Sequence, residues 1–253
     1  MKEEELKKTW EEVYFSENCH EKEIIDDLPN LLKGCEVFFD IGASGGQYTF
    51  FANKILQNKN IVAVEADPIR FNILNKSCKE WESINKNNIQ ALHRAFYEKD
   101  DEFIDFYVTE SNVSGSLFIN DHIKAYMKEV NLTMESVATI SLVKLLNLFP
   151  NKKIFAKIDV EGAEFSAFKG AYTELKKHDV TFLIEIHNWK DSNTGLYPWN
   201  IFKYFNKAGY SPYWYKKHFI VKKSNNILSK NILNFYFSII YRIRYLIGIL
   251  KKY

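Results

Sequence analysis

Val37-Phe38-Phe39-Asp40-Ile41-Gly42-Ala43-Ser44-Gly45-Gly46 is a stretch that is apolar except for Asp40 and then turns through three glycines. It reads as a buried strand passing into a helix. Glycine permits the sharp turn and the close approach of a ligand, and a helix N-terminus offers unpaired N–H groups to a carboxylate or phosphate. Ala43 and Ser44 separate Gly42 from the next glycine, so the pyrophosphate fingerprint Gly-x-Gly-x-x-Gly is not met and a nicotinamide enzyme is disfavoured.

Outward from this stretch, short apolar runs alternate with segments of helical period: Gln47 to Gln57, Ile61-Val62-Ala63-Val64, then Pro68 to Trp81. The alternation predicts parallel βαβ units, and so a doubly wound, mostly parallel α/β sheet. A third strand is expected from Ile89 to Ala95, and Phe103 to Val108 alternates like an inserted or edge strand. Further on, Ile154 to Ile158 leads into Asp159-Val160-Glu161-Gly162 and a helix through Lys177. Val180 to Ile184 and a helix after Pro198 complete the pattern. With no internal repeat or low-complexity linker, the main domain is placed at residues 37–225. Residues 1–36 read as a helical, acidic extension, with Trp10, Val13 and Tyr14 at helical spacing and Pro29 as a break, and are assigned to packing.

The chain has 253 residues, 46% of them hydrophobic, enough for one large core. Its three cysteines are odd in number and form no Cys-x-x-Cys pair, which argues against a disulfide framework or zinc knuckle and fits a reducing compartment. The charged opening from Met1 to Lys8 contains no apolar run, so a cytoplasmic location is expected. Residues 201–253 carry 11 Lys or Arg and no acid, against 23 bases and 32 acids before them. A basic end on an acidic body suits an anionic surface.

Within residues 226–253, Ile232 to Leu250 is apolar but interrupted by Arg242 and Arg244. On a helical wheel Asn234, Ser238, Tyr241, Arg242, Arg244, Tyr245 and Gly248 share one half, opposite Ile232, Ile239, Ile243, Ile247 and Leu250. That pattern predicts an amphipathic helix lying at the inner face of a membrane rather than crossing it. Packing on the domain, or a homo-oligomer contact, is the alternative.

The second strand ends in Glu65-Ala66-Asp67-Pro68, where a doubly wound sheet puts the acid that receives ribose hydroxyls. Asp40 is expected to meet a cationic amino group, directly or through water. Together the two acids would bracket a nucleoside carrying an amino-acid arm, which describes S-adenosylmethionine. The expected cofactor-binding residues are Asp40, Gly42, Ala43, Gly46, Glu65, Asp67 and Ala95, with Asp159 and Glu161 from the later block. Lys157-Ile158-Asp159-Val160-Glu161-Gly162-Ala163-Glu164 and Glu185-Ile186-His187 fall at the ends of neighbouring strands on the same ligand-binding edge. Methyl transfer to a hydroxyl needs an in-line approach and removal of a proton. His187 suits the second task, with Asp159, Glu185 and Lys157 beside it as the other catalytic candidates. Two other readings stay open: Asp159 caps the next helix and His187 is a loop residue, or Asp159, Glu185 and His187 hold a divalent metal. No metal is the favoured reading.

These blocks, Phe39 to Ala43, Val64 to Pro68, Lys157 to Glu164 with Lys169-Gly170-Ala171, and Ile184 to His187, resemble the FkbM family of methyltransferases from about Val37 to His187. The resemblance implies a class I, Rossmann-like methyltransferase fold, S-adenosylmethionine as donor, and an oxygen acceptor on a sugar, polyketide, glycan or similar small molecule. Asp40, Gly42, Gly46 and Glu65 match the family's cofactor motifs; Asp159, Glu161 and Glu185 match its acidic block and second acidic strand end. Ser44 and Gly45 depart from the family's turn. Leu142-Val143 stands where the family has Leu-Asp, which puts a binding or capping role there in question. Ser114-Gly115-Ser116-Leu117 resembles a small-residue stretch of the family, or is a simple turn. Two alternatives to glycan or small-molecule O-methylation remain. Lys157, Asp159, Glu185 and the basic end suggest a nucleic-acid 2′-O-methyltransferase, a disfavoured partner class. Val143 suggests a non-catalytic, cofactor-binding scaffold.

Overall fold

The computed structural model describes residues 13–16, 19–109, 115–116, 132–187 and 200–224, together with Lys8 and Ile239. The central sheet has seven strands in the order β10-β11-β9-β8-β1-β2-β3. These are β1 (Val37–Ile41), β2 (Asn60–Glu65), β3 (Asn88–His93), β8 (Lys153–Ile158), β9 (Asp179–Ile184), β10 (Tyr210–Tyr215) and β11 (His218–Lys223). β1 pairs in parallel with β2 on one side and β8 on the other. β11 alone runs against the rest, antiparallel to both β9 and β10. The expected doubly wound, mostly parallel sheet is what forms.

Strands covered on both faces need continuous apolar sequence, and every residue of β1 is buried. Alternate side chains enter two separate cores. Phe39, Ile41, Val62 and Val64 pack with the helices Leu142–Asn147, Glu164–Phe168 and Ile201–Ala208. Phe38, Ile61, Ala63 and Leu183 face the other way, toward the helices Gln47–Ile55 and Pro68–Asn85 and toward Ile24 and Leu28.

Three expectations are corrected. The third strand stops at His93, and Ala95–Phe96 forms a separate strand, β4, in a second sheet of order β4-β7-β5-β6. There β5 (Phe103–Thr109) follows the inserted reading and not the edge one: it lies between β7 (Leu132–Ile140) and β6 (Gly115–Ser116). Pro29 does not break a helix either. It occupies the first turn of the short helix Leu28–Leu31, where its missing N–H costs nothing, after a separate turn Lys22–Ile25.

Cys19, Cys35 and Cys78 are buried and free. Burial pushes the Cys35 thiol up to about 11 and that of Cys78 to about 12, so both stay protonated and inert. The amphipathic segment and the ends of the Ser114–Leu117 stretch lie outside the described residues, Ile239 excepted. Among the described residues no helix is long and apolar enough to cross a membrane.

Candidate active site

The carboxyl ends of β1, β2, β8 and β9 border one cleft, at the edge where open α/β sheets bind ligands. Gly42, Ala43, Ser44 and Gly45 form one wall. Gly42 has φ 76, and a Cβ there would lie 1.7 Å from the Asp159 carbonyl oxygen, so no larger residue fits between the two turns. Glu65 lies in the cleft, where each of its oxygens accepts one backbone hydrogen bond: from Ser44 N–H at 2.6 Å and from Asp67 N–H at 2.8 Å. Burial raises its carboxyl above the ordinary range, with Arg70 countering. The lone pairs left over suit two adjacent hydroxyls. Ala95 also lines this cleft.

Three expected ligand contacts are instead supports. Asp40 is 1% exposed, is not part of the cleft wall, and its Oδ2 accepts from Thr49 N–H at 2.9 Å and Thr49 Oγ–H at 2.7 Å. It braces the first turn of the helix Gln47–Ile55 in place of touching an amino group. Gly46 turns away from the cleft as well. Its φ is 89, and a Cβ there would also meet Leu74 at 2.7 Å and Trp81 at 3.1 Å. Asp67 caps the helix Pro68–Asn85, accepting from Ile69 N–H at 2.8 Å and Arg70 N–H at 3.0 Å. The two acids share one physical reason: a buried carboxylate at a βα turn gives one oxygen to the first turn of the helix that follows.

The far end of the cleft is a cluster of acids around His187. Its Nδ1 lies 2.8 Å from Oε1 of Glu164, which is 0% exposed and also accepts from Gly162 N–H at 3.2 Å. Its Nε2 faces Glu161 Oε2 at 3.5 Å, Asp159 Oδ1 at 3.8 Å and Glu185 Oε1 at 3.8 Å. Asp159, Glu185 and His187 therefore converge as expected. Lys157 closes the other side, 3.2 Å from Asp159 Oδ2 and 5.0 Å above the Tyr48 ring. Asp159 caps no helix: the helix Glu164–Phe168 begins at Ala163 without a side-chain cap.

Burial opposes the His187 charge, but the Glu164 hydrogen bond and the surrounding carboxylates outweigh it and push the imidazole up to about 10. The surrounding carboxylates favour the imidazolium, which suits His187 to balancing their charge more than to taking up a further proton. Burial raises Glu161 to about 7 and Glu185 to about 6, each against the attraction of His187. Burial also opposes the Asp159 charge, but Lys157 and His187 win and hold that carboxyl below its ordinary range. Because the pKa of His187 is raised from 6.5 to about 10 on folding, its contribution to stability is complete below pH 6.5 and is lost as pH rises through 10. Melting temperatures of the wild type and His187→Gln should therefore converge between pH 7 and 10. A difference that stays constant over that window would contradict the charged imidazole.

Sequence reasoning missed Glu21, Tyr48, Glu164 and His218. Glu164 stood inside the quoted block, where its spacing from Glu161 was the available signal; a lone Glu in a lead-in and a lone His opening a strand offered none. The donor set within one ion's reach beside the cleft is Asp159, Glu161 and His187, with Glu161 replacing the expected Glu185; Glu185 belongs to a second set with Glu21 and His218. Glu21, Ser44 and Glu161 line the cleft with φ of 53, 51 and 52, conformations that L residues seldom adopt and that concentrate at functional sites. Val143 does not line the cleft, and its helix is capped without it: Ser141 Oγ accepts from Lys144 N–H at 3.1 Å, while Asp100 accepts from Ser141 N–H at 2.7 Å and from its hydroxyl at 2.9 Å.

A family model described as "Methyltransferase FkbM domain" matches residues 40–212. Among solved structures, the chain is similar to an O-methyltransferase from Bacillus cereus in complex with SAH. Identity there is 11%, with 88% of this chain and 90% of that one covered and a TM-score of 0.46. A precorrin-6y C5,15-methyltransferase from Geobacter metallireducens matches at 13% identity over 80% and 89% of the two chains, with a TM-score of 0.44. A magnesium protoporphyrin IX methyltransferase from Synechocystis with bound SAM matches at 8% identity over 80% and 79%, with a TM-score of 0.41. No curated protein matches the sequence.

Proposed function

The chain belongs to the FkbM methyltransferase family and is an S-adenosylmethionine-dependent methyltransferase, and from that premise we propose that it methylates a hydroxyl oxygen of a saccharide, glycan or related small molecule. The cleft fits the donor: Gly42 lets its turn pack directly against the Asp159 turn and so shapes one wall, and Glu65 keeps accepting capacity free for ribose hydroxyls. When bound, S-adenosylmethionine supplies an electrophilic methyl group on a sulfonium.

The observation that carries the oxygen-acceptor reading is the carboxylate cluster at the end of that cleft. Glu161, with a pKa of about 7, is matched to receiving a hydroxyl proton as the oxygen–carbon bond forms. His187 stays protonated and balances the neighbouring negative charges, while Glu164 and Gly162 fix its ring. Lys157, 4% exposed, lines the cleft and pairs with Asp159. Five carboxylates, Glu21, Glu65, Asp159, Glu161 and Glu185, line the cleft and offset the cations Arg70, Arg94, Lys157 and His187, so it lacks the positive stripe that tracks a phosphate backbone. This favours a neutral polyhydroxyl acceptor over nucleic acid. Capping by Ser141 removes the structural motive for a non-catalytic scaffold, because Val143 disables nothing in the cleft.

The test is methyl transfer by the purified full chain to a panel of saccharides, read as a product mass increase, with an RNA substrate in parallel. Saccharide product is expected. Glu161→Gln should lower kcat on that acceptor by roughly 10²–10³-fold with donor affinity nearly unchanged. Methylation of RNA alone would overturn the reading.

Residues 226–253 are proposed as a peripheral membrane contact, on the strength of their basic, amphipathic pattern. Liposome flotation of the full chain, but not of a version ending near Asn226, is the expected result; equal flotation would assign the segment to packing or self-association.

A further inference from the structure

A second cluster joins Glu21 and Glu185 of the cleft wall to the buried His218. His218 opens β11 one position before its ladder to β9 begins at Phe219↔Ile184, which sets it beside Glu185, the first residue beyond β9. From the opposite side comes Glu21, held in left-handed backbone at the start of the turn Lys22–Ile25, with its Oε2 accepting the Tyr48 hydroxyl at 2.7 Å. His218 is 0% exposed, yet neither ring nitrogen has a hydrogen-bond partner among the described residues. Its Nε2 lies 3.1 Å from Glu21 Oε1 and 3.6 Å from Glu185 Oε2 without a hydrogen bond to either.

A buried polar nitrogen left without a partner costs about 1–3 kcal/mol, so an arrangement that aims one at two carboxylates calls for a shared third body. An ion about 2.1 Å from each donor separates neighbouring ligands by roughly 3.0–3.5 Å in tetrahedral or octahedral geometry, close to the spacings found. All three donor atoms lie within 4.8 Å of one another. One imidazole nitrogen with two carboxylate oxygens suits Mn²⁺ or Zn²⁺ better than Ca²⁺, which prefers six or more oxygens.

We propose that Glu21, Glu185 and His218 bind a divalent cation that clasps the lead-in onto the cofactor cleft. The lead-in already touches the wall of that cleft: Gln47 Nε2–H donates to the His20 carbonyl at 2.6 Å, and Tyr14, His20 and Glu21 line the opening. A cation joining Glu21 to Glu185 and His218 fastens the same segment to the ends of β9 and β11. The proposal is independent of the acceptor, and of whether Glu161 is the base.

The test is titration of the metal-stripped full chain with Mn²⁺ in the absence of S-adenosylmethionine, following the free-ion signal by electron paramagnetic resonance, with Zn²⁺ followed by chelator competition. One cation per chain is expected. His218→Leu, which refills the buried space, and Glu21→Gln should each weaken binding at least tenfold, while Glu161→Gln should leave it unchanged. Failure of the wild type to bind either ion would overturn the proposal. So would binding that survives His218→Leu and is lost in Glu161→Gln, since that result assigns the cation to the Asp159, Glu161 and His187 set.

Discussion

Glu65→Ala is expected to weaken S-adenosylmethionine binding by at least about 100-fold, measured by titration calorimetry on the purified chain. Hydrogen bonds from ligand hydroxyls to an ionised carboxylate are worth roughly 1.5–3 kcal/mol each, and tenfold in affinity is about 1.4 kcal/mol, so losing two exceeds that threshold. The substitution also frees Ser44 N–H and Asp67 N–H, the two donors that set the shape of the wall. Glu65→Gln separates the effects: its amide retains one accepting oxygen and most of the wall, and a loss nearer tenfold is expected. Affinity for the alanine variant within threefold of wild type would refute the assignment of Glu65 to the ribose.

Gly42→Ala acts on the fold itself. The added carbon would overlap the Asp159 carbonyl oxygen at 1.7 Å in a backbone conformation, φ 76, that alanine resists. Neither obstacle can swing aside, because Asp159 N–H donates to Ile41 O and Gly42 N–H to Val64 O, tying both turns to neighbouring strands. A destabilisation of roughly 3–5 kcal/mol follows, which for a domain of this size lowers the melting temperature by on the order of 10 °C. A shift below 3 °C by circular dichroism would show that the two turns separate more readily than their hydrogen bonds imply. Gly46→Ala collides with Leu74 and Trp81 side chains, which can move in part, so its effect should be smaller.

The parallel sheet was legible because fully buried strands leave mostly apolar runs such as Val37–Ile41 and Ile154–Ile158, broken only by Asp40 and Lys157, and because further acids fall where those runs stop. Less legible was the purpose of each acid. Asp40, Glu65 and Asp67 look alike in sequence, yet Thr49 takes one, a helix N-terminus takes another, and only Glu65 keeps its face to the cleft. Which acid meets a ligand depends on where the following helix begins, and that is a matter of one residue. The pairing of His187 with Glu164 was hidden for a related reason. It joins a loop beyond β9 to the first residue of a five-residue helix, a contact of 23 residues' separation set by packing and not by periodicity. Glu21 and His218 were out of reach altogether, since their meeting depends on how the lead-in and the last hairpin close over the sheet.

That last hairpin has a consequence for synthesis. A chain emerging from the ribosome lays down β9 with its outer edge bare, and β10, although made next, does not cover it; the strand that does is β11, which slips between them last. Until residues 218–223 have left the ribosome, the nascent domain carries an unpaired, largely apolar strand edge, and His218 has not yet reached Glu185. A pause that keeps β11 inside the ribosome prolongs the exposure of that edge, and release of β11 ends it.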